Sequence, residues 1–131
     1  SKLQSVRAAV IEANYDDQLL QDDIKRPWST KQRISSRHGH LSNLQAAELL
    51  KAAEAAELEA LIWCHLSRDC NSPDHVDRVT RPVTEELGYG SALKVSCASQ
   101  DQPHPWVSVG TPPAVGGDLS DPELGGQMAL F

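Results

Sequence analysis

The sequence lacks the features that would place it in a membrane or among disulfide-stabilised secreted proteins. No apolar run among its 131 residues approaches the roughly 18 to 20 residues of a membrane span. The opening SKLQSVRAAV has no apolar signal core followed by a cleavage site. Cysteine is scarce, and Cys64, Cys70 and Cys97 are an odd number without CxxC spacing. We therefore expect reduced thiols, no cysteine metal site, no membrane partner and a cytoplasmic location.

Repeats of solenoid length are also absent. One soluble domain with its own core is the default expectation for a chain of this length. The net charge of −6 argues against indiscriminate binding of nucleic acid. Residues 24–40 reverse that sign, since they contain five bases and no acid. The bases are Lys25, Arg26, Lys31, Arg33 and Arg37. This run suits phosphate binding, although a solvated basic loop explains it equally well.

Strands and helices are predicted to alternate along the first 109 residues. Apolar runs at residues 6–14 and 58–67 and an alternating run at residues 91–100 indicate three strands, with helix as the competing interpretation of the first. Residues 18–39 contain Pro27 and serine pairs, which predict a helical turn followed by an irregular basic loop. Strands that alternate with helices imply an α/β layer with parallel pairing.

Two helix starts carry local signals. Ser42 and Gln45 have the spacing of a capping box, and a helical apolar period follows them. Ser72 and Pro73 form an N-cap and first-turn pair for a helix that runs to Leu87 and ends at Gly88. Each start follows a His-Leu-Ser frame, which contains His40 in the first case and His65 in the second.

The position of these histidines favours a site, because α/β folds gather functional groups where strands end and helices begin. His65 ends an apolar strand and could bind a metal through neutral imidazole. Taken singly, each histidine is more readily explained as a capping or packing residue. The local pair His38 and His40 is equally weak, since a metal site needs three or four ligands.

Four segments in order resemble the C-terminal half of a metallo-β-lactamase-fold hydrolase of the bacterial phosphodiesterase and exonuclease branch. They are EANYDD (12–17), KQRISSRHGHLSNLQAAELL (31–50), CHLSRDCNSP (64–73) and CASQD (97–101). The resemblance spans residues 6–109 and implies half of an αβ/βα sandwich, with residues 1–109 as the domain. It implies a metal-dependent hydrolase, with phosphodiesterase or nuclease activity on nucleic acid or nucleotides.

The resemblance also implies roles for individual residues. His65 matches the family's last metal-ligand histidine, and His40 matches a histidine beside the scissile phosphate that is a candidate proton donor. Arg33 and Arg37 lie nearest the implied site as candidate phosphate ligands. Tyr15 stands where many members carry histidine and receives no catalytic role. Asn71 follows His65 in a polar turn and is expected to be a structural cap.

The departures from the family are as informative as the matches. Its His-x-His-x-Asp-His signature and bridging aspartate are not in this sequence. The centre of two divalent metals, zinc or manganese, is therefore expected to need an N-terminal half, from the same gene or a separate chain. Without that half an apolar face or edge is exposed, which favours homodimerisation or strand exchange. A non-catalytic interaction fragment is the alternative, and a thiol-ester or β-lactam hydrolase is less favoured.

The end of the chain suggests a partner of another kind. Residues 110–126 are rich in glycine, proline and acid and contain no base, which predicts a flexible linker. The final residues, 127–131, read QMALF and resemble the peptide by which bacterial proteins bind the sliding clamp. In this hypothesis Gln127, Met128, Leu130 and Phe131 contact the clamp. Docking of this apolar end on its own domain is an equal alternative.

Overall fold

The computed structural model describes residues 5–110 and 128–130, which form a mixed α/β fold around a parallel sheet. The strands are β1 (Ala8–Glu12), β2 (Ala60–Cys64), β3 (Lys94–Cys97) and β4 (Met128–Leu130). They lie in the order β3-β2-β1-β4, and every neighbouring pair is parallel. The predicted α/β class is confirmed, and the architecture is consistent with half of an αβ/βα sandwich. Within the described residues no helix is long and apolar enough to cross a membrane.

Four helices connect the strands, and both predicted caps are present. They are α1 (Asp17–Asp22), α2 (Trp28–Ile34), α3 (Asn43–Ala53) and α4 (Pro73–Glu86). Ser42 accepts a hydrogen bond from the Gln45 N–H, and the Gln45 side chain accepts one from the Ser42 N–H, which completes the capping box. Ser72 caps α4 by accepting from the His75 N–H.

The predicted irregular loop is wrong over Trp28–Ile34, which is helical. Pro27 occupies the N-cap of α2 rather than its interior. At this position the helix needs no hydrogen bond from a backbone N–H, so the missing N–H of proline costs nothing. Pro27 therefore starts the helix instead of breaking it. Lys31 and Arg33 in the last turn complement the negative end of the helix dipole.

The core lies between one face of the sheet and helices α3 and α4. Its buried members include Ile11 of β1, Trp63 of β2, Leu50 of α3 and Val76 of α4, each no more than 1% exposed. Ile11 and Trp63 are aligned in neighbouring strands, so together they present one apolar surface to the helices. This packing fixes β1 and β2 side by side and brings their carboxyl ends to the same edge.

A buried amide pair joins the start of α3 to the loop before α4. Asn43 donates to the Asn71 side-chain oxygen at 3.0 Å, and Asn71 donates to the Asn43 oxygen at 2.8 Å. Asn71 also donates to the Ala13 carbonyl and accepts from the Ser72 N–H. Asn71 is therefore a structural residue that joins three segments, although the cap of α4 is Ser72 and not Asn71 as expected.

Replacement of Asn71 by alanine should lower the free energy of unfolding by about 2 to 4 kcal/mol, because several buried polar groups would lose their partners. Chemical denaturation of the two proteins measures this difference. Gln18→Ala, which removes an exposed amide that bonds Asp22, is the matched control and should change stability by less than about 0.5 kcal/mol. Equal losses in both variants would contradict the structural role of the amide pair.

The C-terminal predictions fall mostly outside the described residues. Of the linker 110–126 only Gly110 is described, and its N–H donates to Glu59 at 2.8 Å. Gln127 and Phe131 also lie outside. The backbone of Met128–Leu130 pairs with Ala8, Ala9 and Val10 of β1. Binding to a sliding clamp stays a prediction.

Candidate functional site

The carboxyl ends of β1 and β2 supply two residues of the site. Glu12 is the last residue of β1 and is aligned with Cys64 of β2, so His65 follows one position beyond that pair. The backbone of His65 is left-handed, with φ of 61°. Such a conformation is uncommon outside glycine and clusters at functional sites. The Asn14 side chain holds it by donating to the His65 carbonyl at 2.7 Å.

The loop between α2 and α3 brings His40 to the same place. Its backbone N–H donates to the carbonyl of Ile34, at the end of α2, at 2.9 Å. The preceding Gly39 lies so close to that turn that a Cβ would stand 2.1 Å from the Ile34 oxygen. Only glycine fits there, because a side chain would collide with backbone that cannot move aside. Gly39 thus sets the position of the histidine that follows it.

One carboxylate joins the two histidines. Glu12 Oε1 lies 2.7 Å from His40 Nδ1 and 2.5 Å from His65 Nδ1, and the imidazole centroids are 5.0 Å apart. Glu12 Oε2 accepts from the Leu41 N–H at 3.1 Å. Burial alone would raise the pKa of Glu12, but these hydrogen bonds hold it below its ordinary value. An ionised Glu12 can accept a hydrogen bond from the Nδ1–H of each ring, an arrangement that leaves both Nε2 atoms for other partners.

These three residues fit a divalent metal by the chemistry of their donors. Atoms of Glu12, His40 and His65 that can ligate a metal all lie within 4.8 Å of one another. Two imidazoles and a carboxylate are a ligand set of catalytic zinc sites. A carboxylate that accepts from the other ring nitrogen also orients a ligating histidine and strengthens it. The cluster can therefore hold a metal directly, or present His65 to one with Glu12 behind it.

A cavity of about 440 Å³ opens above the histidines. His40 and His65 line it. The other charged residues that line it, within the part of the chain that the structure describes, are one acid, Asp69, and three arginines, Arg26, Arg33 and Arg68. Asp69 is neutralised by Lys25 at 2.9 Å and Arg26 at 3.0 Å, and these partners lower its pKa. Among the described residues that line the cavity, arginines therefore outnumber acids, although the whole chain carries a charge of −6.

The arginines differ in how strongly they are already paired. Arg26 bonds both Asp23 and Asp69 and is a structural residue that attaches the segment before α2 to the loop after β2. Arg68 pairs with Asp101. Arg33, on α2, forms no ion pair with another described residue. It is the cation most available to an anionic ligand.

The structure thus brings three of the predicted site residues together and separates a fourth. His40, His65 and Arg33 share the cavity, whereas Arg37 is exposed and does not line it. Tyr15 is buried at 3% exposure beside them, with a pKa that burial raises.

Sequence reasoning missed Glu12 as a functional residue. Its signal is an acid that ends an apolar strand directly beside the strand that His65 follows. Arg68 and Gln100, which also line the cavity, were missed as well because their positions depend on loop packing.

Comparison with known proteins gives partial homology to two DNA nucleases. The chain is 32% identical over 102 residues to exodeoxyribonuclease WalJ of Streptococcus pneumoniae. This aligned region covers 76% of the chain and 38% of the relative. It is 33% identical over 88 residues to exodeoxyribonuclease YycJ of Bacillus anthracis. That aligned region covers 67% of the chain and 33% of the relative. The chain therefore spans little more than a third of the length of these curated relatives. No family model matches it, and no solved structure does.

We expect Glu12→Ala to weaken zinc binding about 10- to 100-fold, because either a ligand or the group that orients His65 is lost. His65→Ala should weaken it at least as much. Isothermal titration calorimetry with zinc measures both affinities. His75→Ala is the matched control, since His75 bonds Ser72 outside the cluster. Zinc affinity that is unchanged in Glu12→Ala would show that this cluster is not the metal site.

Proposed function

We propose that this chain is part of a metal-dependent deoxyribonuclease that hydrolyses DNA phosphodiesters. The observation that carries the proposal is the pair His40 and His65, held on one carboxylate at the floor of an arginine-lined cavity. Partial homology to two proteins named exodeoxyribonucleases supports DNA as the substrate. Because the chain spans little more than a third of those proteins, the proposed activity belongs to a larger assembly that includes an N-terminal half.

The charge of the cavity favours a phosphodiester over a thiol ester or a β-lactam. Arg33 is unpaired among the described residues and lies in the same cavity as both histidines. A guanidinium matches the non-bridging oxygens of a phosphate, with two parallel hydrogen bonds. In this proposal Arg33 binds the scissile phosphate and positions it above His40 and His65.

His65 is the proposed metal ligand, through Nε2, and Glu12 fixes its orientation by binding Nδ1. A divalent cation such as zinc or manganese, when bound, would activate water and offset the negative charge of the phosphate. The further ligands of a two-metal centre lie outside this chain in the proposal.

His40 is the proposed proton donor to the leaving oxygen. It lines the cavity, and its Nδ1 contacts Glu12 at 2.7 Å. With Nδ1 bound to Glu12, Nε2 is the ring nitrogen from which a proton would pass to the departing alkoxide. Glu12 thus acts on the reaction through both histidines, as a positioning residue.

The proposal can be tested with a chimera in which the homologous segment of this chain replaces that of pneumococcal WalJ. The chimera should hydrolyse a labelled oligodeoxynucleotide. His40→Ala in the chimera should lower the rate at least 100-fold with metal content retained, because general acid catalysis contributes about that factor or more. His65→Ala should lower both rate and metal content.

His75→Ala in the same chimera is the control and should keep both rate and metal content. A folded, metal-loaded chimera that hydrolyses no DNA would contradict the proposed function. An active chimera in which His40→Ala has no effect would contradict the role of that histidine.

A further inference from the structure

A second cavity lies directly beside the one that contains the histidines. It has a volume of about 310 Å³ and opens between the loop after β2 and the loop after β3. The two cavities share Ser67, Arg68 and Gln100. A ligand that extends from the histidines across these residues therefore enters the second cavity.

The boundary between the cavities is an exposed polar bridge, formed by Arg68, Gln100 and Asp101. Arg68 donates through Nη2 to Asp101 at 2.5 Å and through Nε to Gln100 at 3.2 Å. Gln100 in turn donates to the Leu66 carbonyl at 2.5 Å, which ties the two loops together. The side chains of Arg68 and Asp101 are 67% and 69% exposed. Solvent-exposed pairs of this kind contribute little stability, so a phosphate can compete for the guanidinium.

The lining of the second cavity differs from that of the first. Its charged members are Arg68 and Asp101, which pair with each other, and apolar groups such as Cys97, Ala98 and Pro73 lie among its hydroxyls and amides. A largely neutral cavity with apolar walls and a few polar groups suits a sugar and base better than it suits a second free anion.

We propose that the second cavity binds the next nucleotide along a DNA strand, with its phosphate on Arg68 and its sugar and base in the cavity. The scissile phosphate then lies over His40 and His65 and is held by Arg33. This inference rests on the proposed function, and it assigns Arg68 as a substrate-binding residue. It also explains why the bridge is exposed, since the strand must pass across it.

The test compares thymidine 5′-monophosphate with the dinucleotide pTpT, each titrated into the intact chain and followed by NMR. The dinucleotide should bind about tenfold more tightly, because one additional charge-assisted contact is worth about that factor. Arg68→Gln should remove this preference and reduce the dependence of log affinity on log salt by about 0.7, the contribution of one phosphate of a single strand. Arg33→Gln should weaken both ligands together.

Two further variants separate the subsite from general effects of charge and folding. Ser99→Phe fills the second cavity without a change of charge, since Ser99 lines that cavity and not the first, and it should abolish the preference for the dinucleotide while the monophosphate still binds. Arg81→Gln removes an arginine that pairs with Asp77 away from both cavities and should preserve the preference.

Equal binding of the monophosphate and the dinucleotide by the unaltered chain would overturn the subsite and leave the proposed nuclease function standing. A preference that survives in both Arg68→Gln and Ser99→Phe would overturn it in the same way. Failure of the unaltered chain to bind either nucleotide would overturn the subsite, whereas the proposed function is contradicted only by a folded, metal-loaded chimera that hydrolyses no DNA.

Discussion

The contact of Glu12 with two histidines is the interaction on which the rest of the site depends. A single carboxylate oxygen lies within hydrogen-bonding distance of His40 and His65, which come from different loops. It joins the end of β1, the residue after β2 and the segment before α3. Without it, two imidazoles 5.0 Å apart would have no common partner that fixes their orientation. The parallel sheet brings the segments to one edge, and Glu12 fixes the orientation of the two imidazoles there.

The neighbouring charges show how an acidic protein can line a cavity with arginines. Three acids near it pair with arginines: Asp23 and Asp69 with Arg26, and Asp101 with Arg68. These acids offset the charge of Arg26 and Arg68, while Arg33 forms no ion pair with another described residue. Net charge therefore describes this protein poorly, because the sign at the site is set by local pairing rather than by composition.

Local signals in the sequence predicted the elements that local chemistry determines. The capping box of Ser42 and Gln45 and the pair Ser72 and Pro73 place two helices almost to the residue, because a helix start depends on few neighbours. Helix α2 was missed because Pro27 signals either an interruption or a start, and only its position at the N-cap decides between them. The proximity of His40 and His65 was an expectation from family resemblance rather than from spacing. Glu12, Arg68 and Gln100 could not be found from local patterns, since strand register and loop packing bring them to the site.

The organisation of the site by Glu12 is tested most directly by the tautomers of His40 and His65, measured by long-range proton–nitrogen NMR on the metal-free chain at a pH where both rings are neutral. We predict that both rings carry their proton on Nδ1, bound to Glu12, and leave Nε2 unprotonated toward the cavity. If either ring carries its proton on Nε2, or if both rings average freely between tautomers, Glu12 does not organise the site.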